Sequence, residues 1–275
     1  MARYTDGMAW RGTEVRTSLK RLLLLALALY LFFGAVLTLF QKNLIYAPNN
    51  QNFRVCPAFA DSEKVVFDGT RMYVLRRDPQ KVFVFYHGNG GSACDQAYWK
   101  EYLDPLNYSY IIVEYTGYSN DTRSPSKRAI LADVEHVAAF IRQMGFTHVT
   151  VAGQSFGTAV AIYQSTLGAV DKMLLISPFY SVNTIAKKTY WMYPVDLLST
   201  ENLDAAKWME ATRAERVEMI HGSEDPLHPI GESRQLFSLT PIAQKAFVEV
   251  VGAHHNDLYD FEKVRSSIRD FLRRD

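Results

Sequence analysis

Apolar positions follow three different rhythms along this chain. From residue 22 to residue 40 no side chain is charged, and the apolar residues surround the whole helical circumference instead of forming one stripe. A helix of ~19 residues rising ~1.5 Å per residue covers nearly the ~30 Å hydrocarbon core of a bilayer. A buried helix of a soluble protein usually keeps a polar stripe, so a single membrane span is expected. Residues 64–67 and 71–75 flank Asp68-Gly69, a dipeptide suited to the positive φ angles of a tight turn, and predict an antiparallel hairpin. Beyond residue 81, short β-branched or aromatic runs at 82–86, 110–113, 149–152, 173–176, 217–220 and 246–251 alternate with longer segments, of which 127–144 and 259–272 have clear helical spacing. Short strands that are apolar on both faces need helices on both faces, which predicts an α/β domain built on a mostly parallel sheet.

The flanks of the apolar run refine its reading. A cleaved signal peptide would have a shorter apolar region ending in small residues, whereas Leu37-Thr38-Leu39-Phe40 leads straight into Gln41 and Lys42. An uncleaved anchor fits better. Arg11, Arg16, Lys20 and Arg21 precede the run, against Lys42 and the more distant Arg54 after it. The excess of basic residues places the amino terminus in the cytoplasm and the remainder of the chain across the membrane. The expected organisation is a cytoplasmic basic tail at 1–21, a transmembrane anchor at 22–40, a linker at 41–63 and one domain at 64–275. Net charge is +1 over 275 residues, so no global field draws the protein to nucleic acid, and none is expected as a partner. The two cysteines, Cys56 and Cys94, exclude a four-cysteine zinc site, and their pairing is left open.

Chemistry is expected just past the carboxyl ends of the strands, where open parallel sheets bind ligands. After the run at 149–152 comes Gly153-Gln154-Ser155-Phe156-Gly157, leading into a helical start at 158–162. A G-x-S-x-G pattern between strand and helix forms a nucleophile elbow, in which glycines relieve crowding and the serine stands clear of the sheet. A serine hydroxyl needs a histidine to take its proton, and that histidine needs a carboxylate to orient it and stabilise its cation. Asp225 follows the run at 217–220 and is the expected acid, with neighbouring Glu224 as the alternative. The pair His254-His255 follows the last run and completes the order serine, acid, histidine; spacing leaves the two open. Two backbone N–H groups should face the oxyanion. Those of Phe156 and of Asn89, in the glycine-rich stretch His87-Gly88-Asn89-Gly90-Gly91, are the candidates, with His87 in a structural part. His136, His148, His221 and His228 lack metal-ligand spacing and read as surface or turn residues. No metal and no cofactor is implied.

Taken together, Leu44-Ile45-Tyr46 with Pro48, His87-Gly88-Asn89, Gly117-Tyr118, Gly153-Gln154-Ser155-Phe156-Gly157-Thr158, His221-Gly222-Ser223-Glu224-Asp225 and His255-Asn256-Asp257 resemble the membrane-associated alpha/beta-hydrolase-domain proteins of the alpha/beta-hydrolase superfamily. The resemblance covers nearly everything after residue 40. It implies the alpha/beta-hydrolase fold and assigns the general base to His255, the histidine before Asn-Asp. It also implies hydrolysis of esters or thioesters, since some members remove palmitate from proteins while related sequences are called serine aminopeptidase-like. The expected partners are therefore an acyl ester or thioester substrate, on a lipid or a lipidated protein, and a membrane. A serine peptidase of the same fold and an inactive membrane-tethered binding protein are the alternatives. Where members commonly read D-Y-x-G-Y-G-x-S, this chain has Glu114-Tyr115-Thr116-Gly117-Tyr118-Ser119-Asn120. The insertion between Ser177 and Glu215, with Tyr180, Tyr190, Trp191, Met192, Tyr193 and Trp208, is where a lid over an apolar acyl group would sit, or else ordinary crossover packing.

Overall fold

The computed structural model describes residues 6–274, with side chains from residue 16 onward; residues 1–5 of the expected basic tail lie outside the described residues. The first element is a single helix, α1 (Asp6–Ile45), longer at both ends than the expected span. Its stretch Arg16–Ile45 has a mean hydropathy of 2.6 in its most apolar window, of which 6% is buried. Leu22, Leu25, Leu31, Phe32 and Leu39 are all more than half exposed, an apolar surface of the kind that marks a membrane or partner contact. Tyr46, just past the helix, turns inward and is buried, and the segment that follows sends Phe53, Cys56 and Phe59 into the core. Cys56 is joined to Cys94 by a disulfide with a Cα–Cα separation of 5.8 Å. Within the expected linker, residues 53–59 thus pack as a strap against the domain.

The domain is an eight-stranded sheet in the order β1-β2-β4-β3-β5-β6-β7-β8. Its strands are β1 (Lys64–Phe67), β2 (Thr70–Leu75), β3 (Lys81–Tyr86), β4 (Ser109–Glu114), β5 (His148–Gln154), β6 (Val170–Ile176), β7 (Ala214–Gly222) and β8 (Gln244–Val250). β1 and β2 form the expected hairpin, with Asp68 and Gly69 both at positive φ. β2 also runs antiparallel to β4, and every pairing from β4 to β8 is parallel. Parallel neighbours need crossovers, and the chain supplies helices α2 (Lys100–Leu103), α3 (Lys127–Met144), α4 (Phe156–Leu167), α5 (Val182–Thr189), α6 (Val195–Leu198), α7 (Ala205–Glu210), α8 (Ile230–Leu239) and α9 (Glu262–Arg273).

The helices divide the core into two layers. Val82, Val84, Ile111, Val151, Met173 and Val217 point to the face covered by α3, α4 and α7. Phe83, Phe85, Tyr110, Leu174 and Ile220 point to the other, where they meet Trp99 and the apolar stripe of α9. α3 has the bounds its spacing predicts, because Ser126 caps its first turn by accepting from the Ala129 N–H and Gly145 ends it in the left-handed region. The insertion between β6 and β7 divides its aromatic residues. Trp208 packs against Tyr163 of α4 at 5.0 Å between ring centroids, which is crossover packing. Tyr193 stacks on Tyr30 of α1 at 4.6 Å.

Candidate active site

β5 is flanked on both sides in the sheet, and its carboxyl end turns at once into α4. The turn leaves almost no room. A Cβ on Gly153 would stand 2.2 Å from the Gly157 carbonyl oxygen, and one on Gly157 would stand 2.1 Å from the Tyr86 carbonyl oxygen. Ser155 at the apex has φ 51 and ψ −121, a conformation that costs a non-glycine residue roughly 1–3 kcal/mol and persists only where the surroundings hold it. The bond from its N–H to the Ile176 carbonyl, 2.8 Å long, and the packed glycines do that. The hydroxyl therefore stands above the sheet at the amino end of α4.

The loops after β7 and β8 meet the serine there. His255 Nε2 lies 2.9 Å from Ser155 Oγ, and His255 Nδ1 lies 2.6 Å from Asp225 Oδ2. The other oxygen of Asp225 accepts the N–H groups of Leu227 at 2.9 Å and His228 at 2.8 Å. Burial by itself would raise the Asp225 carboxyl. The bonds from His221, His255 and the His228 N–H outweigh it and hold this acid far below the usual carboxylate range. The expected alternatives stand elsewhere. Glu224 is exposed and 3.8 Å from His254 Nε2, and His254 turns its other nitrogen to Asp257.

His221 is not the surface or turn residue its spacing suggested, and His228, which does lie in a turn, is brought over Ser155. His221 is fully buried between Ser233 and the Asp225 loop. The turn that gives Asp225 its two N–H donors also swings His228 over the site, with Nε2 3.4 Å from Ser155 Oγ and the ring 4.8 Å from that of His255. Its Nδ1 is buried without a hydrogen-bond partner among the described residues. Nothing in the local sequence distinguishes a histidine before a proline from a turn residue; only the loop's path does. Burial, followed by the charge of His255, pushes the His228 imidazole down to about 4. The unfolded chain, with a histidine near its ordinary value of ~6.5, then binds more protons than the folded one between about pH 6.5 and 4. Stability therefore falls as pH drops through that window, by at most ~1.4 kcal/mol per unit. His228→Gln is expected to flatten this part of the stability profile in thermal unfolding at stepped pH. The contribution of Asp225 has the same sign but lies lower, below its unfolded value of ~3.9. An unchanged slope between pH 6.5 and 4 would contradict a neutral His228.

The glycine-rich loop after β3 faces the same point. His87 is buried against Glu114, with Nε2 3.2 Å from Oε1. Glu114 also accepts the Ala93 N–H and the Ser119 hydroxyl, at 3.0 and 2.7 Å. Within the departing stretch 114–120, Ser119 has φ 48 and its hydroxyl is tied to the buried acid. That stretch acts on the site through Tyr118, whose hydroxyl donates to Asn89 Oδ1 at 2.6 Å. Asn89 and Phe156 both line a cleft of ≈ 330 Å³ at Ser155. The Asn89 side chain accepts from the Ala47 N–H at 3.0 Å and donates to the Ile45 carbonyl at 2.6 Å. It thus fastens the end of α1 beside Ser155.

An elbow serine, a buried acid–histidine pair and a glycine-rich loop at the carboxyl edge of a mostly parallel sheet define a hydrolase of alpha/beta type. Accordingly, the alpha/beta hydrolase family matches residues 82–270, and this chain belongs to that family. An uncharacterized protein of Mycobacterium tuberculosis is 26% identical over 247 residues, which are 84% of this chain and 87% of that one. The lysophosphatidylserine lipase ABHD12 of Macaca fascicularis is 23% identical across 70% of this chain but only 55% of its own length. Among solved structures, an esterase of Pyrococcus furiosus superposes with a TM-score of 0.62 at 14% identity, covering 82% of this chain and 97% of its own. A monoacylglycerol lipase of Paleococcus ferrophilus gives 0.56 at 18%, over 74% and 96%. These likenesses show the fold.

Proposed function

We propose that the protein is a single-pass, membrane-anchored serine hydrolase that cleaves carboxylic ester or thioester bonds of acyl chains. The observation that carries this reading is the hydrogen-bonded row Ser155–His255–Asp225. The esterase and lipases among the similar proteins support the bond type. Ser155 Oγ attacks the carbonyl carbon while His255 Nε2 takes its proton, and Asp225 stabilises the resulting imidazolium. The backbone N–H groups of Phe156 and Asn89 hold the oxyanion. Collapse breaks the bond to the alcohol or thiol, which leaves with the proton from His255, and the acyl group remains on Ser155. A water deprotonated by His255 then adds to the acyl-enzyme and releases the acid.

The apolar, exposed stretch of α1 supports the anchor, with 1–21 as a cytoplasmic tail, 22–40 within the bilayer, 41–63 as the strap and 64–275 as the catalytic domain. The Cys56–Cys94 disulfide supports the orientation, since such bonds persist in oxidising compartments, on the far side of the membrane from the cytoplasm. Turnover by the full chain in detergent tests the reading. A palmitoyl ester and a palmitoyl thioester are expected to be cleaved at rates well above those of aminoacyl amides. Faster cleavage of the amides would make the protein a peptidase, and turnover of none of them would leave a binding protein.

A further inference from the structure

The Ser155 cleft leads in two directions, one more polar than the other. One limb, ≈ 500 Å³, is mixed, with Gln96, Gln154, His255 and Asn256 beside Ile185 and Leu227. The other passes Phe156, Val182 and Ala186 to Leu44 and Ile45 of α1. It continues, through Leu44, Ile45, Val182, Ala186 and Tyr190, into a narrow slot of ≈ 80 Å³ whose far walls are Leu37 and Thr38 of α1 and Val195 and Leu198 of α6. One wall of the apolar limb is therefore the anchor helix.

The seating of the α5–α6 segment on α1 has the marks of a built contact. Tyr30, Gly34, Thr38, Gln41 and Ile45 recur at helical spacing and form the face of α1 turned to the domain, while the leucines and phenylalanines on the rest of its surface stay exposed. Tyr193 lies where a side chain on position 34 would reach, 3.2 Å from an added Cβ. The Tyr30 hydroxyl donates to the Met192 carbonyl at 2.8 Å, and Gln41 Oε1 accepts the Thr200 N–H at 2.8 Å. Tyr30 lies ten residues before the end of the uncharged run, ~15 Å along the helix axis. The turn at 190–193 thus sits at the level of the hydrocarbon, with Trp191 and Met192 exposed. The Tyr190 and Tyr193 N–H groups bond to the carbonyls of Ala186 and Tyr190, and the Met192 carbonyl takes the Tyr30 hydroxyl.

We infer that the slot between α1 and α5–α6 holds the acyl chain of a single-chain ester or thioester that enters sideways from the bilayer, with the anchor helix forming part of the substrate site. The mixed limb, with Gln96, Gln154 and Asn256 in its wall, receives the leaving group. The narrow slot admits one chain, and its outer end opens where acyl chains already lie, so the chain need not pass through water. This inference rests on the reading of Ser155 as the nucleophile of an acyl hydrolase.

The test uses the full chain in phosphatidylcholine nanodiscs, with 4-nitrophenyl palmitate and 4-nitrophenyl acetate as substrates. Ala186→Trp in α5 and Leu37→Trp in α1 fill the slot from opposite walls. Each is expected to lower the palmitate-to-acetate ratio of kcat/KM by on the order of 10–100-fold, because several methylenes lose their site. Leu39→Ala, on the exposed side of α1, should keep the wild-type ratio. An unchanged ratio in both tryptophan variants, or an equal fall in Leu39→Ala, would overturn the inference. A diazirine-bearing palmitate reads the slot without turnover, and its crosslinks should fall on the peptides holding Leu44, Ile45 and Ala186. Crosslinks confined to the exposed side of α1 would reject the slot even if both esters are cleaved. Crosslinks in the slot with no cleavage of either ester would reject the hydrolase reading alone.

Discussion

Replacing Ser155 with Ala is expected to lower ester turnover by on the order of 10⁵–10⁶-fold and to abolish labelling by a fluorophosphonate. His255→Ala should lose a comparable factor, because the two residues act as a unit: without the imidazole the hydroxyl 2.9 Å away keeps its proton. Asp225→Asn should cost about 10⁴-fold, since an amide cannot stabilise the imidazolium and favours the wrong tautomer. His254→Ala should stay within about twofold of wild type; no principle of triad chemistry reaches an exposed ring bonded to Asp257. Fluorophosphonate labelling and steady-state kinetics on the detergent-solubilised full chain separate these cases. Wild-type labelling of Ser155→Ala would remove the nucleophile from the proposal, and a loss in His254→Ala equal to that in His255→Ala would remove the assignment of the base.

Gly157→Ala carries the largest expected effect on stability. Its added methyl would meet backbone on the neighbouring strand, 2.1 Å from the Tyr86 carbonyl oxygen and 2.6 Å from that of His87. Neither atom belongs to a side chain that could move aside. Relief would require α4 to lift from β3, opening the layer that holds Ala159, Val160 and Ile162. Such overpacking in a tight core should destabilise by at least about 3 kcal/mol, or prevent folding. Gly231→Ala is the control, because nothing lies within 4 Å of its added Cβ and it sits in α8. There alanine should be neutral or stabilise by about 0.5–1 kcal/mol. Circular dichroism melting in detergent decides: a Gly157→Ala melt within a degree or two of wild type would contradict the packing of the elbow.

Much of the fold was legible from local pattern. The runs at 82–86, 149–152 and 217–220 predict strands because a strand buried on both faces is apolar at most positions, and β3, β5 and β7 lie there. α3 was legible to the residue because its apolar stripe, its Ser126 cap and its terminal Gly145 agree. α5, α6 and α8 were not predicted, since short helices held by packing leave little periodicity in the sequence. The candidate site was legible where it depends on the backbone turn itself, as in the spacing of glycines around Ser155. It was not legible at His228, whose place beside Ser155 comes from the path of a loop.

By itself the sequence determined the apolar span, the α/β alternation and the residue types able to supply a nucleophile, an acid and a base. These are properties of neighbours along the chain, set by periodicity and turn chemistry. The tertiary structure decided that His228 comes over Ser155, that Cys56 meets Cys94, and that Tyr30, Gly34 and Gln41 turn α1 into a seat for the residues at 190–200. Each of these joins positions 38 to more than 150 residues apart. Such contacts follow from how helices and loops pack on the sheet, and no local pattern in the chain encodes them.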